Sequence, residues 1–462
     1  MDAHGRTNVL ILKSDEHNPR IASTDGHPFI ETPNLDRLAA AGVVYENAYC
    51  PSPLCCPSRS SFISGLPVHR IQAYNNSMVI ELPDYPSYGR LLRDAGIHTV
   101  HVGKVDAYRP PDELGFAEML GEGYRKVGDT AFSRDPLTIR DDAQERIRGV
   151  GVARDPFAGD DRRIAQAVSF IERAASLDRP WTMEVNIVAP HFPHYVTQEL
   201  WDRYADHADL PEADATAASA QHPYAQDLRR HFGTDAFTEA DVRRHRRAYY
   251  GRVTYVDNQL GVLLDALERT GQLANTVVAY TSDHGEMLGM FGMWWKCSMY
   301  EDSVRVPLVV AGPGFPQGVR VRTPVTQWDL NAAIFAAVGV PRPSDLAGVP
   351  LQTVAPDDRT RAVFAEYHGH GTQGSSFMVR QGGWKLIYHA KAPHQLFDLD
   401  SDPLEMRDLA PTEPARVRAM TALLREEFCD PEREQERAEA FIRRQLAAVS
   451  ATSSSVPEAT HT

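Results

Sequence analysis

Buried strands and amphipathic helices alternate along the first three quarters of the chain. Residues 8–14 (NVLILKS) form a continuous apolar run that ends in polar residues, as a strand covered on both faces does. Further runs of this kind are separated by stretches with helical periodicity. The other predicted strands are 97–104, 181–189, 275–282 and 304–312, and the predicted helices are 32–42, 86–95, 160–177 and 239–268. This alternation predicts a mainly parallel α/β sheet flanked by helices on both faces.

The pattern changes near residue 360. Two short apolar runs within 377–389 flank Gly382 and Gly383, and 395–409 is typical of a strand with turns. Connections this short favour antiparallel pairing. Two predicted helices, 413–428 and 430–448, then precede a polar end. We predict an α/β domain over 1–359, a small C-terminal antiparallel α+β subdomain over 360–450, and a disordered tail over 451–462.

One segment does not fit the alternation. Residues 196–237 are polar, rich in His and Asp and only weakly periodic. We expect this segment to run over the surface, as a lid or as a contact between subunits.

Composition and charge exclude several classes of protein. The 462 residues include 48 Lys and Arg against 62 Asp and Glu, a formal net charge of −14. Such a surface does not suit a phosphate backbone, so no nucleic-acid partner is expected, and an anionic substrate needs a local positive patch. Five cysteines, two of them adjacent, do not suggest a disulfide framework. No apolar run approaches the roughly 18 residues of a membrane span and no leader is apparent, so we expect a cytoplasmic chain without a membrane partner.

Acids, imidazoles and lysines follow the predicted strands. Ligands of open parallel sheets bind beyond the carboxyl ends of the strands. Asp15, Asp283 and His284 together offer ligands to a hard divalent cation. Taken singly, aspartates at strand ends are usually turn formers, so only the joint pattern favours a cation site. The other residues of interest at these ends are Glu16, Lys104, Asp106, His191 and His194.

The segment CCPSRSSFISG (55–65) is the sharpest feature of the sequence. Pro57 and Gly65 stand where a short helix begins and ends. Cys55 would then lie at a helix N-terminus beside Arg59, where backbone N–H groups and a guanidinium favour negative charge. From the residues alone, Cys55 is either a reactive thiolate or a small buried apolar residue.

This segment resembles the signature of the type I sulfatases of the alkaline phosphatase superfamily. Cys55, Pro57, Ser58, Arg59 and Gly65 stand in register with that signature. The likeness covers nearly the whole chain, and residues 285–310 and 366–372 are most similar to the choline-sulfatase and phosphonate monoester hydrolase branch. The resemblance implies an alkaline phosphatase-like fold, hydrolysis of a small sulfate ester and a homo-oligomer. It also implies that a separate formylglycine-generating enzyme oxidises Cys55 to Cα-formylglycine.

The resemblance further assigns roles to the site residues. The hydrated aldehyde of residue 55 would be the nucleophile. Loss of the proton from its second hydroxyl would then reform the aldehyde and release sulfate, a step that a serine cannot perform because it has only one hydroxyl. Arg59, Lys104 and Lys296 would meet the charge on the sulfuryl oxygens, and His191 would protonate the leaving oxygen. One divalent cation is expected, Ca²⁺ first with Mn²⁺ or Mg²⁺ as alternatives. Its expected ligands are Asp15, Cys55, Asp283, His284 and Glu16.

Two positions depart from the family pattern. Asp106 stands where the family commonly has a histidine, the usual base for sulfate release. It could pair with Lys104, contact a cationic substrate group, or leave the base role to His191 or His194. The second departure is Glu16, where many sulfatases have aspartate, so Glu16 could lie behind the ligands instead of among them. The expected substrate-binding residues are Asp106, His194, Asn76 and His368.

Three functions stay open at this point. Sulfate-ester hydrolysis leads, and a phosphonate or phosphodiester hydrolase could use the same residues. A catalytically silent anion-binding relative is supported only by Asp106. The alcohol part of the substrate is not identified by the fold. A choline-like cation would need an aromatic or acidic wall, for which Trp294, Trp295, Tyr108 and Asp106 are the candidates.

Overall fold

An eight-stranded sheet lies at the centre of the molecule. A computed structural model describes residues 7–121 and 128–454, with side chains to residue 451. The main sheet has the strand order β11-β2-β10-β9-β1-β7-β4-β5, and only β10 pairs antiparallel with its neighbours. The strands of the described chain are β1 (Asn8–Asp15), β2 (Gly42–Tyr45), β3 (Ala48–Tyr49), β4 (His98–Gly103), β5 (Glu118–Leu120), β6 (Val150–Val152), β7 (Trp181–Pro190), β8 (His194–Val196), β9 (Thr276–Ser282), β10 (Leu308–Ala311), β11 (Val319–Val321), β12 (Val325–Thr326), β13 (Ala362–Tyr367), β14 (Ser376–Gln381), β15 (Trp384–His389) and β16 (Gln395–Asp398). The predicted mainly parallel sheet is therefore confirmed.

Helices lie on both faces of this sheet. The helices of the described chain are α1 (Pro33–Ala40), α2 (Cys55–Ser64), α3 (Val68–Ile71), α4 (Tyr88–Asp94), α5 (Ala143–Arg148), α6 (Ala158–Ala174), α7 (Gln198–Arg203), α8 (Pro223–Phe232), α9 (Glu239–Arg269), α10 (Glu301–Val304), α11 (Gln327–Val338), α12 (Pro414–Glu427) and α13 (Pro431–Ser454). Val9 and Ile11 of β1 belong to the core that contains Phe62 of α2, whereas Leu10 and Leu12 belong to the core on α6 and α9. Alternate strand residues point to opposite faces, so each face is covered by its own helices.

The antiparallel β10 was not predicted. The chain passes from β9 to β10 through residues 283–307, which contain only the four-residue helix α10 and a short 3₁₀ turn. A parallel return needs a crossover of a dozen or more residues packed across the sheet, usually as a helix. This connection instead stays at the edge where the candidate site residues lie, and the chain enters the sheet from that edge.

The segment 196–237 differs from its prediction as a surface excursion. It contains the helices α7 and α8, and α8 buries Tyr224, Leu228 and Phe232. These residues recur every fourth position and so share one helix face. The Asp, Arg and His residues between them hid that short apolar stripe in the sequence.

The C-terminal strands form a separate four-stranded antiparallel sheet, β13-β14-β15-β16. This confirms the predicted small antiparallel sheet, and α12 packs on β14 and β15. The last helix, α13, continues to Ser454 and so overlaps the first residues of the tail predicted over 451–462. Residues 455–462 lie outside the described chain. None of the helices that the structure describes is long and apolar enough to cross a membrane.

Candidate active site

Four side chains with ligand atoms meet at the carboxyl edge of the main sheet. Asp15 ends β1, Asp283 and His284 follow β9, and Cys55 is the first residue of α2. One ligand atom from each lies within 4.8 Å of the other three, and all four residues are buried. Because β1 and β9 are parallel neighbours, their ends bring the two acids together.

These donors fit a divalent cation. Asp15 Oδ1 is buried and finds no hydrogen-bond partner within the described residues. His284 Nε2 lies 3.3 Å from Cys55 Sγ and 3.8 Å from Asp15 Oδ1, while His284 Nδ1 lies 3.0 Å from the Gly285 carbonyl oxygen. A hydrogen on Nδ1 leaves the Nε2 lone pair facing the acids, as a metal ligand requires. An unpartnered buried carboxylate oxygen is costly, and a bound cation would remove that cost.

Arg59 holds the two acids in place. Its Nε donates to Asp283 Oδ2 at 2.9 Å and its Nη2 donates to Asp15 Oδ2 at 3.2 Å. Its Nη1 donates to Asn186 Oδ1 at 2.6 Å. Residues 55 and 59 lie one helical turn apart, so α2 presents both to the same site. The planar guanidinium thus fixes both acids from one side.

Lys104 adds a second positive charge at the end of β4. Its Nζ forms an ion pair with Asp15 Oδ2 and lies 3.4 Å from Asp106 Oδ2. Of the alternatives for Asp106, the structure therefore contains the pair with Lys104. Burial alone would raise the pKa of the Asp15 carboxyl, but the charges on Lys104 and Arg59 hold it well below its usual range.

Lys296, His191 and Glu16 form a group beside these residues. Lys296 Nζ lies 2.7 Å from His191 Nε2, and Glu16 Oε2 lies 3.2 Å from both nitrogens. Burial, together with Lys296, holds the pKa of His191 well below its usual range, so the imidazole is neutral and Nε2 accepts from Lys296. Burial raises the pKa of the Glu16 carboxyl well above its usual range against the opposing effect of Lys296. Glu16 thus lies with the lysine and the histidine, and its carboxylate forms a second set of possible ligands with Asp15 and His191, whose ligand atoms lie within 4.8 Å of one another.

The field at Cys55 is strongly positive. Burial alone would raise the pKa of the thiol, but Lys104 and Lys296 outweigh it and lower the pKa to about 6. Ser58 of the same helix donates to the Asp283 carbonyl oxygen at 2.6 Å and ties the start of α2 to the strand end. A group that develops negative charge at residue 55 is therefore stabilised by fixed positive groups.

Comparison with known proteins decides the family. A sulfatase family model matches residues 7–340, and a model of the C-terminal region of N-sulphoglucosamine sulphohydrolase matches residues 289–433. The chain belongs to the sulfatase family. Among similar sulfatases, choline-sulfatase of Rhizobium meliloti is 34% identical over 448 residues, covering 90% of this chain and 85% of that protein. Arylsulfatase K of Gallus gallus is 29% identical over 453 residues, covering 91% and 82%.

Solved structures share the fold of this sulfatase. One is of a protein in complex with its substrate D-glucosamine-2-N,6-O-disulfate, with a TM-score of 0.74, 21% identity, and coverage of 92% of this chain and 99% of that chain. Another is the phosphonate monoester hydrolase of Agrobacterium radiobacter, with a TM-score of 0.73, 22% identity and 96% coverage of both chains. These confirm the alkaline phosphatase-like fold. Membership makes the chain a sulfuric ester hydrolase and implies a divalent metal and a formylglycine.

Of the four expected substrate-binding residues, some lie at the candidate site and others are buried in contacts with other side chains. Asn76 Oδ1 accepts from the backbone N–H of Cys56 at 3.0 Å, so Asn76 lies against the residue that follows Cys55. His194 is fully buried, with its Nδ1 2.9 Å from His245 Nδ1. The ring nitrogens of His368 are both engaged, by Glu366 and Ser375 at 2.8 Å each. His368 thus has no nitrogen left for a substrate, and only Asn76 and Asp106 of the four lie at the candidate site.

The candidate aromatic wall is also engaged with neighbours. Trp294 stacks on Phe237 with ring centroids 4.4 Å apart, and Trp295 packs on Phe192 at 4.1 Å. Tyr108 donates to the Tyr85 carbonyl oxygen at 2.8 Å. Since Phe192 follows His191 in the chain, Trp295 is the tryptophan that packs beside the site.

Two residues that shape this site received no role from the sequence, although Glu286 stands among the polar residues that follow the predicted strand 275–282. Asn186 lies within β7 and accepts from Arg59. Glu286 accepts the backbone N–H groups of Leu288 and Trp295. An amide inside the apolar run WTMEVNIVA was the available signal for Asn186, whereas the amides that Glu286 binds are fixed only by the folded loop.

Proposed function

We propose that this sulfatase cleaves its ester through an aldehyde hydrate made from Cys55, with one divalent cation held by Asp15, Asp283, His284 and residue 55. The observation that carries the proposal is the convergence of these four ligand atoms, together with the unpartnered oxygen of Asp15. Two carboxylates and a single imidazole suit a hard cation, so Ca²⁺ is the proposed ion. When bound, the cation supplies charge that favours the anionic form of the nucleophile and stabilises the sulfuryl group.

The residues around the nucleophile bind and orient the sulfuryl group. Lys104 and Lys296 are buried and both influence residue 55 electrostatically. They are placed to neutralise the sulfuryl oxygens as negative charge grows on them. Arg59 is engaged by Asp15 and Asp283, so its main contribution is to fix those acids. The α2 N-terminus adds its own positive end to the same place.

The leaving oxygen receives its proton from the Lys296 and His191 pair. His191 Nε2 accepts from Lys296, so the exchangeable proton between them is on the ammonium group. Burial disfavours the charged form of Lys296, but Glu16 Oε2 at 3.2 Å and an anionic group at residue 55 favour it, so the proton stays on Lys296 before the ester is cleaved. As the S–O bond breaks, the proton on Lys296 Nζ can pass to the leaving oxygen directly or through His191.

Choline sulfate is the first ester to test, because a similar protein carries the name choline-sulfatase. The Agrobacterium phosphonate monoester hydrolase shares the fold, so aryl phosphonates belong in the same panel. A separate maturation enzyme that oxidises Cys55 is part of the proposal. Assembly into a homo-oligomer is a further expectation, which light scattering of the purified protein would test.

The test uses the adjacent cysteines as variant and control. Cys55→Ala removes the proposed nucleophile, and Cys56→Ala removes a neighbour in the same buried helix. With the maturation enzyme co-expressed, we expect kcat/KM for sulfate esters to fall at least about 10⁴-fold in Cys55→Ala and less than about tenfold in Cys56→Ala. Equal activity of Cys55→Ala and the wild type would refute the mechanism. A higher kcat/KM for phosphonates than for any sulfate ester would refute the sulfate preference.

A further inference from the structure

The loop that carries Lys296 has a strained backbone. Between residues 288 and 297, four residues other than glycine have positive φ angles. They are Leu288 (46°), Phe291 (58°), Trp295 (69°) and Cys297 (78°). Such conformations are unfavourable for residues with a Cβ atom and persist only where the surroundings enforce them. The contacts that enforce this loop therefore decide where Lys296 stands.

Glu286 provides two of these contacts from a single side-chain oxygen. Its Oε1 accepts the N–H of Leu288 at 2.9 Å and the N–H of Trp295 at 2.7 Å, and the residue is completely buried. One carboxylate oxygen thus joins the two ends of the loop. Met287 N–H donates to the Trp295 carbonyl oxygen at 2.8 Å and closes the same base. When this shared acceptor is removed, both buried N–H groups lose their hydrogen bond at once, which is costly inside a protein.

Lys296 follows directly after this base. The N–H of Cys297, on its other side, donates to the Pro53 carbonyl oxygen at 3.0 Å, two residues before Cys55. The backbone of Lys296 is therefore held on one side by Glu286 and on the other by the segment that leads into α2. Its ammonium group extends from there to His191 Nε2.

We propose that Glu286 is a positioning residue that holds Lys296 in line with His191 for protonation of the leaving oxygen. This inference rests on the proposed function, which makes Lys296 and His191 the source of that proton. Without the carboxylate, the amides of Leu288 and Trp295 lose their common acceptor and the strained loop can relax. Lys296 then moves relative to His191, while the ligand group of Asp15, Asp283 and His284 stays in place.

A defect in leaving-group protonation has a distinctive kinetic signature. Substrates whose alcohol has a low pKa leave without help, whereas alcohols of high pKa depend on the proton. A merely structural loss lowers kcat/KM equally for all substrates, since it reduces only the fraction of working enzyme. The slope of log kcat/KM against leaving-group pKa therefore separates positioning from stability.

The experiment compares four proteins on a series of sulfate esters, from 4-nitrophenyl sulfate to an alkyl sulfate. Glu286→Ala removes the anchor, and Glu286→Gln keeps an acceptor oxygen for both amides. Asp257→Ala is the matched control: Asp257 is buried and accepts the backbone N–H groups of Leu35 at 2.8 Å and Asn34 at 3.2 Å at the start of α1. Should Glu286→Ala not fold, Glu286→Asp replaces it, because its shorter side chain cannot span both amides.

We expect Glu286→Ala to lose about a hundredfold in kcat/KM on the alkyl sulfate and less than about fivefold on 4-nitrophenyl sulfate. Glu286→Gln should restore the wild-type slope, and Asp257→Ala should keep it even if its melting temperature falls. Equal losses on all substrates, or an unchanged slope, would overturn the positioning role. A wild-type protein that hydrolyses no ester of the series would instead overturn the proposed function itself.

Discussion

Lys13 and Asp15 are buried charged residues on β1, only two positions apart, but they differ in how completely the polar atoms around them are hydrogen-bonded. In mid-strand, Lys13 Nζ donates to Glu184 Oε1 of β7 at 2.7 Å, and Tyr88 donates to Glu184 Oε2 at 2.6 Å. The Lys13 ammonium also lies 3.3 Å from the centroid of the Phe62 ring. At the end of the strand, Asp15 Oδ2 accepts from Lys104 and Arg59, but its Oδ1 has no hydrogen-bond partner among the described residues.

This difference distinguishes a structural ion pair from a binding site. The pair in mid-strand is complete, because each carboxylate oxygen of Glu184 has a donor. The group at the strand end is incomplete, and its free oxygen faces three other ligand atoms. Since a buried carboxylate oxygen without a hydrogen bond is costly, the second arrangement is the one expected where a ligand binds. Substitutions at the strand end should therefore reduce mainly activity, and substitutions in the mid-strand pair should reduce mainly the free energy of unfolding.

The largest effect is expected from Asp15→Asn. This substitution removes the charge that faces the proposed cation, whose contribution is worth several kcal/mol of transition-state stabilisation. We expect kcat/KM to fall at least about 10⁴-fold and bound Ca²⁺, measured by elemental mass spectrometry, to be lost. Chelation of the wild type should reproduce this loss and added Ca²⁺ should reverse it. If Asp15→Asn keeps its metal and its full activity, the end of β1 is not a metal-binding site, and its difference from the Lys13–Glu184 pair has no functional meaning.

The converse change is Glu184→Gln. It leaves Lys13 buried without a charged partner, which typically costs about 3–5 kcal/mol of unfolding free energy. Urea unfolding measures that cost, and kcat/KM per folded molecule should stay within about threefold of the wild type because Glu184 does not touch the ligand group. A stable but inactive Glu184→Gln would contradict the assignment of this pair to stability alone.

The mid-strand pair also predicts an acid dependence of stability. Burial alone would raise the pKa of the Glu184 carboxyl, but Lys13 and His101, with hydrogen bonds from Lys13 and Tyr88, lower it to about 2 from 4.5. Between these values the unfolded chain binds more protons, so this stability is fully present above about pH 4.5 and is lost as the pH falls through 2. From pH 5 to pH 3, the unfolding free energy of the wild type should fall about 2 kcal/mol more than that of Glu184→Gln. If the unfolding free energies of the two proteins fall in parallel between pH 5 and pH 3, Glu184 does not contribute this acid dependence.

The smallest effect is expected at Asp106, which pairs with Lys104 at the edge of the ligand group. Asp106→Asn removes a negative charge near the sulfuryl site, so we expect the KM for a sulfate ester to fall about fivefold, with kcat unchanged. Steady-state kinetics at neutral pH measures both constants. A fall in kcat of about a hundredfold would instead make Asp106 the base for sulfate release.

The sequence predicted those parts of the molecule that follow from local pattern. The capping box of α9 is one: Thr238 accepts the Asp241 N–H at 3.2 Å and Asp241 accepts the Thr238 N–H at 3.1 Å, at the predicted start of that helix. The meeting of Asp15 with Asp283 is another, because neighbouring parallel strands end at one edge.

The rest depends on contacts between distant residues. The antiparallel β10 follows from a loop without a crossover helix, and the apolar face of α8 is only three residues long. Glu286 accepts hydrogen bonds from backbone amides, and the sequence does not indicate which amides the folded loop brings to it. His368 was expected at the substrate, but Glu366 and Ser375 occupy its ring, a pairing set by the C-terminal sheet. Such tertiary contacts override what a residue type suggests on its own.

The most direct test of the central claim is the oxidation state of residue 55 in active enzyme. Peptide mass spectrometry would quantify the aldehyde and the free thiol in preparations made with increasing amounts of the maturation enzyme. If the aldehyde hydrate is the nucleophile, kcat per chain rises in proportion to the aldehyde fraction and extrapolates to zero when only the thiol is present. Full turnover by protein that carries only the thiol at residue 55 would contradict it.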